Sequence, residues 1–553
     1  MNQMAKDISA KQDPVRIEIL RHALVAAAEE MGVTVARTGR SNVVREMLDF
    51  STAIFDIHGN NVGQAARIPF HLNTMTPCLQ EVLTRHIAPE KWEEHDVVLV
   101  NDPYCGGQHL PDITVFQPIF FEGEHIGYAG TMAHFADIGG GSAGSYNASA
   151  VDIFAEGIRI PPVKLYKRGA LNEDVMTLLM SNVRGKEIFR GDLGAVVASV
   201  GIGTRNVVRL AAKYGTAFLK HGFQAILDQS EAAMRNAIAA VPDGVYEFEE
   251  SVDSDGINEE PFRIKVALTV RNDEVVVDFD GTAAQVAGPV NCTINMTKAA
   301  VFYALVSSLT DNLAATSGCY APVEVVAPAG SVVNCSFPAP VVNRVIVGHR
   351  IVTAIMGALA KALPERIPAA YYSITHCVAM ETVDDGGNRA IFFDCEVGGW
   401  GGTPFDDGAS AFSAGLHNIA ACPLEIIEST IPITFTRFGL RPDSGGKGKH
   451  RGGLGLIKEW RLEAASAVLS ASADRFRTGA YGLAGGEAGQ TGKMTLTAAD
   501  GTERALTSKF AGLRIRKGDT IRIETPGGGG FGRPQERSEE ALARDIELAY
   551  VTA

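Results

Sequence analysis

The stretch NDPYCGGQHLPDITVFQPIFFEGEHIGYAGTMAHFADIGGGSAGS occupies residues 101–145. Its middle, ITVFQPIFFEGEHIGYAGTMAHF, reads as two strands joined by a turn at Glu122-Gly123-Glu124. Glycine-rich loops flank the two outer ends, and each end carries an H-x-x-D pair: His109 with Asp112, and His134 with Asp137. A hairpin of this length returns its ends to one place, which brings His134 beside His109 and Asp112 without help from distant sequence. Two imidazoles and a carboxylate are a usual ligand set for a catalytic divalent ion, with positions left open for water and substrate. Gly106, Gly107, Gly139 and Gly140 permit backbone conformations closed to other residues and let a substrate approach closely. The competing reading is a glycine-rich turn region with incidental polar side chains. His125, after the turn at the far end, reads as an exposed bystander.

Outward from this hairpin the pattern is mixed. DPVRIEILRHALVAAAEEMGVTVAR (13–37) has helical spacing at Ile17, Leu20, Leu24 and Ala27, with Asp13-Pro14 as the cap signal. EMLDFSTAIFDIHGNNVG reads as two strands about a turn, and Asp49 stands just before the first of them, as a site carboxylate or a turn cap. Residues 71–88 return to helical period, and DVVLVNDP is a strand running into a turn at Asp102-Pro103, with Tyr104 beyond it. Residues 172–240 read as mainly helical, 245–345 as mainly strands, 348–362 as a helix, and the chain after 429 as strand- and glycine-rich with a closing polar helix. This predicts a multi-domain α+β protein without the regular alternation of a doubly wound sheet. The expected divisions are 1–240 with the metal site, a mixed region 241–428, and a strand-rich region 429–553.

With 553 residues, 46% of them hydrophobic, the chain has material for two to four domains. A net charge of −14 argues against nucleic-acid binding, which needs a concentrated basic surface. The eight cysteines include no C-x-x-C pair, which fits reduced thiols. No apolar leader and no run of 18 apolar residues is visible, so a cytoplasmic protein without a membrane span is expected. No nucleotide-binding motif is found: G-x-x-x-x-G-K-[ST] is absent, and TPGGGGFGRP (525–534) reads as a tight structural turn. GGKGKHRGG (445–453) reads as a solvated basic loop, Cys292 as a buried small thiol, and no G-x-S-x-G elbow occurs.

NDPYCGGQHLPDITVFQPIF, AHFADIGGGSAGS, FAEGIRIPPVKL (154–165), DFDGTAAQVAGPVN and TPGGGGFGRP, in that order, resemble the hydantoinase B/oxoprolinase family from about residue 14 to 535. The resemblance implies a B subunit that works with a separate ATP-binding A-type subunit in a heterotetramer or larger assembly. The A subunit, with ATP and Mg, would phosphorylate the carbonyl oxygen of a small cyclic amide: a hydantoin, N-methylhydantoin, 5-oxoproline or a lactam. The B subunit would complete ring opening at a divalent Zn, Mn or Fe ion. His109, Asp112 and His134 match the family's metal positions, with Asp49 as a fourth ligand or a supporting group. Asp137 and Asp102 are then the expected catalytic carboxylates, and Tyr104, Gly106, Gly107, Gly139, Gly140 and Ser145 the expected substrate contacts. Gln108 and Ala143 depart from the family's usual Thr and Pro, a difference expected to bear on substrate. The alternatives are a subunit of an ATP-dependent ketone carboxylase of the acetone or acetophenone type, and a non-catalytic scaffold for the A subunit.

Overall fold

A computed structural model describes residues 13–311, 313–413 and 415–552. The chain begins with α1 (Pro14–Thr38), where the Asp13 carboxylate accepts from the N–H of Val15 and Pro14 takes the first helical position. Its buried residues Ile17, Leu20, Leu24, Ala28, Met31 and Val35 repeat at three and four, as the spacing predicts.

Seven strands follow, β1 (Phe50–Phe55), β2 (Asn61–Gln64), β3 (Val97–Val100), β4 (Asp112–Phe121), β5 (Glu124–His134), β6 (Val163–Lys167) and β7 (Ala170–Leu171). They form one antiparallel sheet in the order β2-β1-β5-β4-β3-β6-β7. Helix α2 (Pro69–Glu81) lies on one face; α1 and the long helix α3 (Lys186–Tyr214) lie on the other. Strand periodicity sorts the side chains. Ile54, Ile113, Val115, Ala129 and Ala133 join the core under α1 and α3. Ala53, Phe55, Phe116, Tyr128 and Met132 join a separate core under α2.

After α4 (Thr216–Ala239) come β8 (Gly244–Val252), β9 (Phe262–Arg271), β10 (Glu274–Asp278), α5 (Ile294–Leu309), β11 (Val323–Val326) and α6 (Val345–Ala362). The sheet order is β11-β10-β9-β8, and β10 with β11 is a parallel pair. Every residue of α6 from Val345 to Leu359 is buried, which marks a core helix. The next elements are β12 (His376–Val383), β13 (Arg389–Glu396), β14 (Ile433–Leu440), β15 (Leu456–Leu462) and β16 (Ser466–Ser472). The last strands are β17 (Lys493–Thr497), β18 (Glu503–Leu506), β19 (Lys509–Arg516) and β20 (Thr520–Glu524). They pair as β13-β12-β16-β19 and β14-β15-β20-β17-β18. The first of these sheets takes two strands from each side of residue 428, and one apolar core runs from β9 to Trp460 and Ile521.

TPGGGGFGRP is not a tight turn. Residues 525–530 form a buried extended segment whose successive residues bond to different neighbours. Gly528 donates to Gly453 O and accepts from Gly446; Gly529 pairs with Ala370 and Gly402; Gly530 pairs with Glu487 and Leu483. Chains packed this closely around an extended segment leave no room for side chains. A Cβ on Gly528 would stand 2.0 Å from Trp400 O, and one on Gly529 2.0 Å from Tyr481 O. Gly446 and Gly453, expected in a solvated loop, are buried in this bundle, while Lys447 and Lys449 face out.

Candidate metal centre

The centre grows from sheet geometry. Asp112 is the first residue of β4 and is paired directly with His134, the last of β5. Phe50 pairs with Ala133, and the N–H of His134 donates to Asp49 O at 3.0 Å, which extends the row one residue before β1. Asp49, His134 and Asp112 therefore cross three adjacent strand ends in line. By the two-residue period they share the α2 face with Ala53, Phe55, Met132 and Phe116. Helix α2 lies over that face and supplies His71 from its first turn. His109 enters from the loop just before β4.

The five side chains converge. His109 Nε2 lies 3.0 Å from Asp112 Oδ1, and His71 Nε2 lies 3.4 Å from the same oxygen and 3.8 Å from Asp49 Oδ1. Ligand atoms of His109, Asp112 and His134 all fall within 4.8 Å of one another. All five residues are buried, His71 and Asp112 completely. Yet Asp49 Oδ1, His109 Nε2, Asp112 Oδ1 and both ring nitrogens of His71 and His134 make no hydrogen bond. Buried polar atoms are normally satisfied, so this concentration of open donor atoms fits a cation at their centre. Carboxylate oxygens and neutral imidazoles suit a first-row divalent ion.

The surroundings hold those atoms in ligand form. The Nδ1–H of His109 donates to Val342 O at 3.1 Å, which fixes the tautomer and leaves the Nε2 lone pair facing inward. Burial pushes His109 down to about 4, assisted by the charge of Arg344, and burial with neighbouring His109 holds His134 well below its ordinary value. Both rings are thus neutral at pH 7. Burial alone would raise Asp112, but its basic neighbours, with the permanent charge of Arg344 at 2.7 Å among them, keep the carboxyl well below the usual range. Burial raises Asp49 to about 6, opposed by His71. Arg344 Nη2 bridges Asp112 Oδ2 at 2.7 Å and Gln108 Oε1 at 3.0 Å. Phe393 stacks on the His134 ring at 4.8 Å, and Tyr146 stands 6.0 Å from His109 and 6.2 Å from His134.

The other residues singled out by sequence are engaged with the chain itself. Asp137 accepts from Gly139 N, Gly144 N, and both the backbone and guanidinium of Arg184, so neither oxygen is open. Asp102 accepts from Tyr104 N and pairs with Arg159 at 3.0 Å. The Tyr104 hydroxyl donates to Ala339 O at 2.7 Å. Ser145 Oγ accepts from Ile138 N and donates to Gly139 O. The glycines serve close backbone packing. A Cβ on Gly106 would stand 2.5 Å from Cys78 Cα, one on Gly107 2.8 Å from Asn101 O, one on Gly139 2.5 Å from Asn182 O, and one on Gly140 2.6 Å from Glu156 O. Gln108 is buried and tied to Arg344, Phe70 O and Thr74, so its contacts run to the helix that carries His71. His125 is half-buried rather than exposed, stacked on Phe120 at 4.5 Å.

Sequence reasoning missed His71 and Arg344. His71 begins an ordinary helical stretch 38 residues before His109 and shares no spacing with the hairpin. Arg344 carried one signal: a cation at the N-terminus of an apolar helix opposes the helix dipole, so it needs an anion elsewhere. That anion is Asp112, 232 residues away.

A buried His/Asp cluster with open donor atoms at the strand ends gives this α+β protein a candidate metal site; likeness to known proteins defines its family. The model of the hydantoinase B/oxoprolinase family matches residues 13–534. The B-type subunit of a putative D-/L-hydantoinase from Pseudomonas sp. (strain NS671) is 30% identical over 573 aligned positions, spanning 100% of this chain and 95% of the relative. The crystal structure of ATP-dependent caprolactamase from Pseudomonas jessenii superposes with a TM-score of 0.92 at 28% identity, over 98% of this chain and 94% of that one. A nucleotide-free acetone carboxylase structure gives 0.90 at 19% identity, over 98% of this chain and 78% of that one, which is a likeness of fold. The chain belongs to the hydantoinase B/oxoprolinase family.

Proposed function

We propose that this chain is the metal-bearing B-type subunit of an ATP-dependent cyclic-amide hydrolase. It acts with an ATP-binding A-type subunit that phosphorylates the carbonyl oxygen of a hydantoin, an oxoproline or a lactam. The observation that carries this reading is the set of five buried ligand-type side chains whose facing atoms bond to nothing else in the chain. The likeness to a hydantoinase subunit and to a caprolactamase supports a cyclic amide as substrate.

An unstrained cyclic amide resists water because its resonance must be broken, and phosphorylation of the oxygen removes that protection. A divalent ion, when bound, supplies Lewis-acid charge and an activated water. His109 and His134 present neutral lone pairs at pH 7 because burial keeps protons off them. Arg344 balances the charge of Asp112 without occupying its Oδ1, and the Gln108 bond fixes the guanidinium in that position. Tyr146 and Phe393 wall the centre with aromatic rings, which limits bulk water beside it.

The test uses the chain co-purified with its A-type partner. Elemental analysis should find Zn, Mn or Fe near one per chain, and ATP should drive opening of a hydantoin or lactam ring. His109→Ala and His134→Ala should lose both metal and ring opening while remaining folded. Full metal occupancy in either variant sinks the centre. Bicarbonate-dependent consumption of a ketone, without ring opening, sinks the hydrolase.

A further inference from the structure

A cavity of about 630 Å³ lies against the metal centre, walled by Phe135, Phe189, Phe392, Phe393, Ile427 and Ile431. Protein interiors are close-packed, and a void of this size is in the range of small-molecule sites. Phe393, one of its walls, stacks on His134, so an occupant sits close to the candidate metal centre.

The charged groups around this cavity are mostly spent. Arg184 is bound to Asp137 and to the carbonyls of Gly140 and Ser142, and Arg389 to Glu381 at 2.8 Å. Asp192 is buried; its Oδ1 accepts from the backbone N–H of Arg40 and Ser41, while its Oδ2 has no hydrogen-bond partner. Those bonds pin the backbone of Arg40 to α3. The aliphatic stem of Arg40 then lies over Gly191, where a Cβ would come within 2.2 Å of Arg40 Cγ. Arg40 is among the residues that line the cavity, and its guanidinium has no hydrogen-bond or ion-pair partner among the described residues. A positioned backbone, a seated stem and a free planar fork above apolar walls fit one kind of ligand. Its body is apolar, and its head is a single carboxylate, which a guanidinium grips through two parallel bonds.

We propose that this cavity binds small apolar carboxylates, and that it holds the ring-opened product beside the metal centre. The product assignment rests on the function proposed above: water adds its oxygen to the phosphorylated carbonyl carbon, the ring C–N bond breaks with the nitrogen taking the proton, and a second water releases phosphate from the resulting acyl phosphate to leave a linear carboxylate. An unsubstituted lactam or a hydantoin is neutral and offers Arg40 no carboxylate. Product therefore gains a partner that substrate lacks.

The experiment titrates hexanoate and its neutral isostere hexanamide into the full chain, with ATP and the A-type partner left out, by isothermal calorimetry and ligand-observed NMR. Hexanoate should bind at least about tenfold more tightly than hexanamide. Arg40→Gln, a substitution at an exposed position, should remove about that factor. Ile431→Trp should fill the cavity and abolish binding of both. Treatment with chelator should leave hexanoate binding unchanged. Equal binding of the two ligands, or unaltered affinity in Arg40→Gln, overturns the proposal. So does binding that disappears with the metal, because it places the carboxylate on the metal centre instead. Saturable hexanoate binding by a chain that opens no cyclic amide with its A-type partner refutes the product assignment and the hydrolase but keeps the ligand class of the cavity.

Discussion

Glu156 shows how a single buried residue supports the centre from behind. Its Oε1 accepts from the N–H groups of Val341 and Val342, and the carbonyl of Val342 in turn holds His109. Burial raises the Glu156 carboxyl from 4.5 to about 8, against the pull of those two N–H groups and Arg344. The folded chain thus binds the proton more tightly than the unfolded chain. Stability falls as pH rises from about 4.5 to about 8, then levels off, with a total on the order of a few kcal/mol. Glu156→Gln keeps the acceptor and removes the ionisation, so its Tm should gain on the wild type between pH 5 and pH 8.5. Parallel Tm profiles for the two proteins would count against the buried carboxyl. Arg344 is the opposite case, a charge that the site needs. Arg344→Met leaves Asp112 buried without its cation and should cost about 3–5 kcal/mol in metal-free protein. Added divalent ion should restore part of that loss, and denaturant titration with and without metal measures it.

At the scale of elements, the hairpin β4–β5 and helix α2 must stay in register for the five ligand-type side chains to meet. Gly106 sits at φ +92° against α2, where a Cβ would approach Cys78 Cα to 2.5 Å. Gly106→Ala should therefore move α2, and His71 with it, away from Asp112. The expected result is reduced metal content in a folded protein, beyond the roughly 1 kcal/mol that a left-handed backbone alone costs an alanine. Unchanged metal content would show that α2 is not a determinant of the site. Gly194 provides the contrast. It lies exposed within α3, with nothing within 4 Å of the place a methyl would take and no left-handed φ. Gly194→Ala should stabilise the protein by about 0.5–1 kcal/mol through helix propensity, read from the same unfolding curves.

For the molecule as a whole, the segment 525–530 locks the C-terminal region together. It bonds to residues near 370, 400, 446, 453 and 485, which are far apart in sequence. Gly528→Ala would set a methyl 2.0 Å from Trp400 O and 2.3 Å from its carbon, both backbone atoms that cannot swing aside. It should destabilise by more than about 4 kcal/mol or prevent accumulation of folded protein, checked by circular dichroism and yield. The bundle and the shared sheet β13-β12-β16-β19 join chain on both sides of residue 428 into a single core. Phe393 of β13 reaches from that sheet to His134 of the first one.

Local sequence carried a large part of this protein. The cap and spacing of α1, the turn at Glu122-Gly123, and the two-residue alternation of β4 and β5 are short-range effects, so 45 residues suffice to place His109, Asp112 and His134 together. The absence of β-α alternation was legible for the same reason. What only the tertiary structure decided is everything that depends on contacts distant in sequence. His71 joins the cluster because α2 packs across the sheet, and Arg344 joins because α6 begins beneath Asp112. The second H-x-x-D pair looks identical to the first on paper. Asp137, however, points to Arg184 and the loop amides, and that partner is fixed by how α3 docks, not by the spacing of the motif. The glycines of 527–530 are equally ambiguous as sequence, since a turn and a crowded extended strand both require them; the neighbours that crowd them come from four separate parts of the chain.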